Sequence, residues 1–171
     1  RTAVAAAIAQ VRTRFGRIDG VIHGAGVEIS RRIEEKTEDE FRTVFRGKAL
    51  GGLHLWHLLE GTELRFFIAF TSIAGRYGNA GQADYSAANA MLARLARRID
   101  EAGKVRGLAL DWTAWDEVGM ASRGSMRQLL TGRGVTMLRP EIGAPLVADL
   151  LEAGARGEIV IAGELGDFKP E

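Results

Sequence analysis

The chain has 171 residues, 46% of them hydrophobic, and a formal net charge of +1. That length suits one domain with a sizeable core, and the balanced charge leaves no electrostatic footprint for nucleic acid or a membrane surface. Cysteine is absent, which excludes disulfides, thiol catalysis and cysteine-based metal sites. No apolar run approaches the ~20 residues needed to span a bilayer, so a soluble, cytoplasmic protein is the default expectation.

Val4, Ala7, Ile8, Val11 and Phe15 recur at helical spacing and predict an amphipathic helix closed by Gly16. Residues 18–23 are a short, mostly apolar run ending in Gly24, Ala25 and Gly26, a pattern that reads as a buried parallel strand and a tight turn. Thr37 opens a capping-box pattern with Glu40, and Asp39 favours the positive end of a helix. The helix that follows carries Phe41, Val44, Phe45, Lys48, Leu55, Trp56 and Leu59 along one side. Gly51 and Gly52 interrupt it, and since glycine costs about 1 kcal/mol against alanine inside a helix, close backbone packing is expected there. Basic residues are overwhelmingly arginine; lysine occurs only at positions 36, 48, 104 and 169.

Residues 65–71 are apolar on both faces, as a central parallel strand should be. A helix is predicted from Tyr85 to about Glu101, with Ala88, Leu92, Leu95 and Ile99 on one stripe and Gly103 ending it. Residues 105–112 and 158–161 read as two more strands. A glycine-punctuated stretch, 119–134, and a helix over 140–152 lie between them, with Pro140 suited to that helix's first turn. Strand and helix alternate throughout, which predicts an α/β fold with a parallel sheet and helices on both faces. Residues 1–171 show no repeat and no internal linker, and are expected to form one domain or part of one.

The chemistry concentrates between Ser72 and Asn89. Ser72 follows an apolar strand, Tyr85 comes thirteen residues later, and Asn89 one helical turn beyond it. Hydride transfer to a ketone builds negative charge on the carbonyl oxygen, which must be stabilised and then protonated. Ser72 could donate a hydrogen bond to that oxygen. Tyr85 could protonate it, if a nearby cation lowers a phenol pKa that is ordinarily near 10. Lys48 could be that cation, and Asn89, on the same helical face as Tyr85, could hold a water between phenol and ammonium. Ligands of open parallel sheets bind outside the carboxyl ends of the strands, and Ser72 and Tyr85 both belong to that edge.

These residues resemble the short-chain dehydrogenase/reductase superfamily, and more closely the ketoreductase domains of modular polyketide and polyunsaturated fatty acid synthases. Most of the superfamily has lysine four residues after the tyrosine; Asn89 stands there in this chain and Lys48 lies upstream, the exchanged arrangement typical of synthase ketoreductases. His23, Gly24, Ala25, Gly26 and Val27 are similar to the family's turn beside the cofactor, residues 78–85 to its loop before the tyrosine, and residues 111–121 to its nicotinamide-side segment. The resemblance spans essentially the whole chain. It implies a Rossmann-type doubly wound parallel sheet lacking its first strands, with the chain opening on the helix before the fourth.

It further implies NADPH-dependent reduction of a β-ketoacyl group on an acyl carrier protein, with neighbouring synthase domains as partners. Tyr85, Ser72, Lys48 and Asn89 would be catalytic; Gly24, Ala25, Gly26, Tyr85, Lys48, Trp112 and Thr113 would bind the cofactor, and residues 120–139 would form a lid over the acyl chain. Three departures accompany it. No glycine-rich dinucleotide fingerprint occurs, Thr113 and Ala114 replace a usual glycine and proline, and Glu28, Ile29 and Ser30 replace the Leu-Asp-Asp of one stereochemical class. Alternatives are a non-catalytic, reductase-like module that braces a synthase, and a free-standing reductase of small ketones.

Other candidates carry less. His54 and His57 have a metal-compatible spacing but no third ligand, so no metal is expected. His23 is expected to be a packed, hydrogen-bonded residue at a strand end, and Trp112 and Trp115 to serve either core packing or the cofactor. Without earlier strands, the strand over 18–23 would show an unpaired apolar edge; the expectation is therefore a longer polypeptide, or another chain covering that edge.

Overall fold

The computed structural model describes residues 1–119 and 126–168. Four parallel strands, β1 (Gly20–His23), β2 (Phe66–Ser72), β3 (Arg106–Trp112) and β4 (Gly157–Ile161), lie side by side in chain order. Each is joined to the next by helices: α1 (Thr2–Phe15) precedes β1, and α2 (Glu38–Phe45) and α3 (Gly51–Leu59) link β1 to β2. The short α4 (Ile73–Tyr77) and the long α5 (Ala83–Glu101) link β2 to β3, and α6 (Met126–Gly132) and α7 (Pro140–Glu152) link β3 to β4. The architecture is the expected α/β one, a Rossmann-type parallel sheet.

Because successive strand residues face opposite ways, β2 and β3 supply two cores. Phe67, Ala69 and Ala109 face Leu92, Ala96 and Ile99 of α5 and Leu59 of α3. Ile68, Leu108 and Leu110 face the other way, toward Val147, Leu150 and Leu151 of α7. Both central strands are apolar on both faces for this reason.

The capping box forms as expected: Thr37 Oγ1 accepts the Glu40 N–H at 3.2 Å and Glu40 Oε2 accepts the Thr37 N–H at 2.9 Å. The glycine pair does not break the helix. Instead a π-helical turn, Arg46–Leu50, joins α2 to α3 and carries Lys48. Gly52 lies where a Cβ would run into Leu92 of α5 and stand 3.0 Å from His23 Cδ2, so the expected close packing is present. Insertions of this kind recur at functional sites.

The helix predicted over Val4 to Phe15 forms as α1, and Gly16 closes it. The α1 stripe is only partly buried: Ile8 is covered, while Val11 and Phe15 are 40% and 65% exposed. An amphipathic pattern marks the apolar side of a helix but not what will cover it. Ser72 is followed by the short helix α4, which it caps by accepting the Ala74 N–H at 3.2 Å. At the sheet border β1 pairs with β2 alone among the described residues, and its Ile22 is 53% exposed. Among the described residues no helix is long and apolar enough to cross a membrane.

Candidate active site

A cleft of about 210 Å³, open to solvent, lies at the carboxyl ends of β1, β2 and β3. Gly24 follows β1, Ser72 ends β2, and Trp112 to Trp115 end β3, so each strand delivers a residue to the same edge. Tyr85 enters from the first turn of α5 and Lys48 from the π turn. The lining includes a polar group, Glu28, Asn79 and Gln82, and an apolar group, Val118, Leu130, Val135 and Phe168.

Close helix packing sets the two central groups. A Cβ on Gly75 of α4 would stand 2.6 Å from the Asn89 Cβ and 3.0 Å from the Ala90 nitrogen, so only glycine lets α4 lie this close to α5. Ser72, capping α4, is thereby brought beside Tyr85. Asn89 is fully buried; its amide donates to the Tyr85 carbonyl at 2.7 Å, and its Oδ1 has no partner. Ser72 and Asn89 flank the phenol and draw its pKa down without a closed hydrogen bond to it.

The expectation of a phenol with a depressed pKa is not met. Burial is the largest influence on Tyr85 and pushes its pKa up; Ser72 and Asn89 oppose that, and the Glu28 carboxylate adds to it. The Lys48 ammonium is 5.7 Å from the phenol ring centroid and donates to the Phe70 carbonyl at 2.9 Å. It is itself buried, at 3% exposure, and desolvation lowers its pKa to about 8. The sequence pairs these residue types correctly but says nothing of their desolvation, which outweighs mutual attraction here.

His23, at the end of β1, is buried with Nε2 2.8 Å from the Lys48 carbonyl oxygen. Desolvation lowers its pKa, so at neutral pH the ring is uncharged and Nε2–H is the donor. It packs as expected, and it steadies the π turn. Thr113 lines the cleft, but its hydroxyl donates to the Thr136 carbonyl at 3.3 Å and its N–H to the Ile161 carbonyl at 2.9 Å. Its polar atoms are thus engaged within the protein. Trp112 packs against Phe70 and Trp115, as expected of a core residue, and also lines the cleft; its Nε1 is buried and has no partner. Gly24 lines the cleft directly, and a Cβ on Gly26 would come within 3.4 Å of the Lys48 side chain. Residues 120–125 of the expected lid lie outside the described residues, while Leu130 and Val135 from its remainder do line the cleft.

The model of the KR domain family matches residues 1–117. This chain belongs to that family, the ketoreductase domains of modular synthases within the short-chain dehydrogenase/reductase superfamily. It is 31% identical over 159 residues to a polyunsaturated fatty acid synthase polypeptide of a Thraustochytrium species, covering 92% of this chain and 6% of that protein. It is 41% identical over 119 residues to the spectinabilin polyketide synthase system protein NorB of Streptomyces orinoci, covering 70% of this chain and 5% of that one. A solved ketoreductase domain from the bacillaene assembly line superposes with a TM-score of 0.84 at 28% identity, covering 98% of this chain and 41% of that structure. The KR chain therefore spans a small part of the synthases and about two fifths of the solved ketoreductase.

The sequence reading missed three groups. Lys36 and Asp84 form a fully buried ion pair beside Tyr85, 2.8 Å from nitrogen to oxygen. Asp111 is buried on β3, and desolvation pushes its pKa up to about 7. Glu28 faces the cleft. Scarcity of lysine was the available signal for Lys36, since arginine fills nearly every solvated basic position.

Proposed function

We propose that this KR chain carries the proton-delivery machinery of an NADPH-dependent reductase of β-ketoacyl groups held on an acyl carrier protein. The observation that carries this reading is the convergence of Ser72 and Tyr85 on one cleft beside a buried ammonium with no carboxylate partner among the described residues. The raised pKa keeps the phenol protonated at rest, which suits a proton donor. A ketone oxygen seated between Ser72 Oγ and the phenol would receive two hydrogen bonds, which strengthen as negative charge develops on it. Tyr85 then gives up its proton to that oxygen, and the Lys48 ammonium stabilises the phenolate left behind. Asn89 Oδ1, buried and unpartnered, is the acceptor a relay water would need.

NADPH supplies the hydride when bound. The residues present fit its nicotinamide end: Gly24 brings backbone to the cleft with no side chain in the way, Lys48 offers a cation, and Trp112 lends a ring face, although Ala25 and Gly26 do not line the cleft. Thr113 would contribute only surface. The pyrophosphate-binding glycines do not occur in these 171 residues and would come from polypeptide outside them. The apolar lining residues Leu130, Val135 and Phe168 suit an acyl chain, and neighbouring synthase domains would present the carrier protein.

Changing Tyr85→Phe in the complete reductase domain tests the reading. We expect turnover of a model β-ketoacyl thioester to fall by at least ~10³-fold, while NADPH titrated by fluorescence binds within about twofold of wild type. Unchanged turnover refutes the assignment of Tyr85. Failure of the wild-type domain to bind NADPH favours the bracing module instead.

A further inference from the structure

We propose that the buried Lys36–Asp84 pair is a positioning device, which fixes the polar lining of the cleft against the helix turn that presents Tyr85. Lys36 and Asp84 side chains are 1% and 0% exposed. One carboxylate oxygen, Oδ2, accepts from the Lys36 ammonium at 2.8 Å; the other, Oδ1, accepts the Tyr85 N–H at 2.8 Å. The same ammonium donates to the Ile29 carbonyl at 2.6 Å. One ion pair thus links the first turn of α5, the loop between β1 and α2, and the residue preceding the Thr37 capping box.

The segment it restrains belongs to the cleft lining. Glu28 precedes Ile29, and its carboxylate accepts the Ser30 hydroxyl. Gln82 Nε2 donates to Ser30 Oγ at 3.4 Å, Asn79 Nδ2 to Gln82 Oε1 at 2.9 Å, and the Arg31 N–H to the Gly81 carbonyl at 2.8 Å. Most of these are neutral or partly exposed bonds, which break and re-form easily. The only charged link in this set that is wholly removed from water is Lys36–Asp84. A buried ion pair is weak as a source of net stability against apolar replacements, and its best-attested use is to specify one arrangement among several. Here the arrangement specified is the spacing between the phenol and Glu28. That spacing decides which face of a ketone can sit against Tyr85. Lys36 and Asp84 act through their neighbours and are positioning residues.

The test is the double change Lys36→Met with Asp84→Asn in the complete reductase domain. Asparagine keeps an oxygen for the Tyr85 N–H, and neither partner is left as an uncompensated buried charge. Amide exchange at residues 29–31 and 85 should quicken by at least about tenfold, while that of β2 and β3 is unchanged. With a model β-ketoacyl thioester, kcat should fall about tenfold and the ratio of the two alcohol enantiomers should move toward parity, with the NADPH Kd unchanged. The enantiomer ratio is a readout that a merely structural pair would not move. Wild-type exchange at 29–31 with an unchanged ratio overturns the proposal. If the double variant does not fold, Lys36→Gln with Asp84→Asn, which is also neutral at both positions and keeps a donor facing an acceptor, is held to the same criteria at about threefold effects. The turnover arm rests on the reductase reading. A wild-type domain that reduces no thioester refutes that reading, and the positioning role is then decided by amide exchange alone.

Discussion

Two lysines are buried near Tyr85 in this KR chain, and they are held very differently. Lys36 meets a carboxylate, Asp84, and a carbonyl, and its ammonium and the carboxylate are out of water. Lys48 meets one carbonyl, that of Phe70, and its pKa is lowered to about 8. A buried charge needs compensation, and a neutral carbonyl compensates less than a carboxylate does. The first lysine is consequently a fixed structural charge, while the second is poorly satisfied and has most to gain from a phenolate or a ligand. Under the function proposed above, an uncompensated ammonium beside a protonated phenol is the resting state that the reaction would charge.

Removing either lysine should therefore have opposite consequences for stability, and the largest effect is expected at Lys36. Lys36→Met strands the Asp84 carboxylate in the interior, and breaking a buried pair from one side costs about 3–5 kcal/mol. Urea unfolding of the complete domain at pH 7 should show this as a lowered midpoint with an unchanged slope. A cost below about 1 kcal/mol would mean that Asp84 is readily hydrated, and the contrast between the two lysines would fail.

Lys48→Met should do the reverse. The folded-state pKa of Lys48, about 8, lies below its ordinary value of 10.5, so the unfolded chain binds more protons between those limits. Stability attributable to Lys48 accordingly rises as pH climbs from about 8 to 10.5, and at pH 7 its burial is a penalty of up to about 3 kcal/mol. The variant should be the more stable protein at pH 7 by up to that amount, and the advantage should vanish near pH 10.5. Unfolding midpoints for both proteins across that range supply the check, and a pH-independent difference would show that Lys48 is not desolvated. Activity should move against stability: the better-folded variant should be the poorer reductase.

Asp111 extends the contrast to a buried carboxyl that the Thr71 hydroxyl and the Arg76 guanidinium only partly compensate. Its pKa in the fold, about 7, stands above its ordinary 3.8 because of burial, with the Glu158 carboxylate raising it further. The folded state then binds the extra proton, so stability falls as pH rises through about 4 to 7. Asp111→Asn should remove that fall, giving a gain of roughly 2–4 kcal/mol at pH 8 and almost none at pH 4. Equal gains at both pH values in thermal or urea unfolding would count against a buried, proton-holding Asp111.

What the sequence made legible was local. The central strands and α5 could be read because their apolar periodicity is complete within each segment, and the Thr37 box because its two partners are three residues apart. Ser72, Tyr85 and Asn89 fall within eighteen residues and share one strand–helix junction, so their meeting needed little knowledge of the rest. Lys48 was legible as a candidate through the resemblance, but the π turn that carries it into the cleft is announced by no spacing. Lys36 and Asp84 are separated by 48 positions, and their pairing exists only after a loop has folded over α5. The direction of the Tyr85 pKa shift was misread for a related reason: residue type tells which charges could attract, whereas burial is a property of the assembled fold. The exposed flank of α1 has the same origin, since periodicity marks an apolar face without naming its cover.

The smallest expected effect concerns how Lys48 is held. The π turn leaves its backbone carbonyl turned toward β1, where the neutral His23 ring donates to it. His23→Leu would leave that carbonyl buried and unpaired, at a cost of about 1–2 kcal/mol. His23→Gln keeps a donor and should cost less. The two variants also separate packing from protonation. Because burial lowers the folded-state pKa of His23 beneath the ordinary 6.5, the unfolded chain binds more protons just below that value. Stability linked to His23 is thus present above pH 6.5 and lost as pH falls through the folded-state pKa. Wild type should therefore lose ground to His23→Gln on acidification, and parallel unfolding curves from pH 7 to pH 5 would show that the ring does not titrate with folding. In turnover, His23→Leu should lower kcat a few-fold with NADPH affinity nearly unchanged, because the ammonium remains in the cleft and only its support has loosened. A KM effect without a kcat effect would instead assign His23 to ligand binding, and Lys48 would then owe its position to the π turn alone.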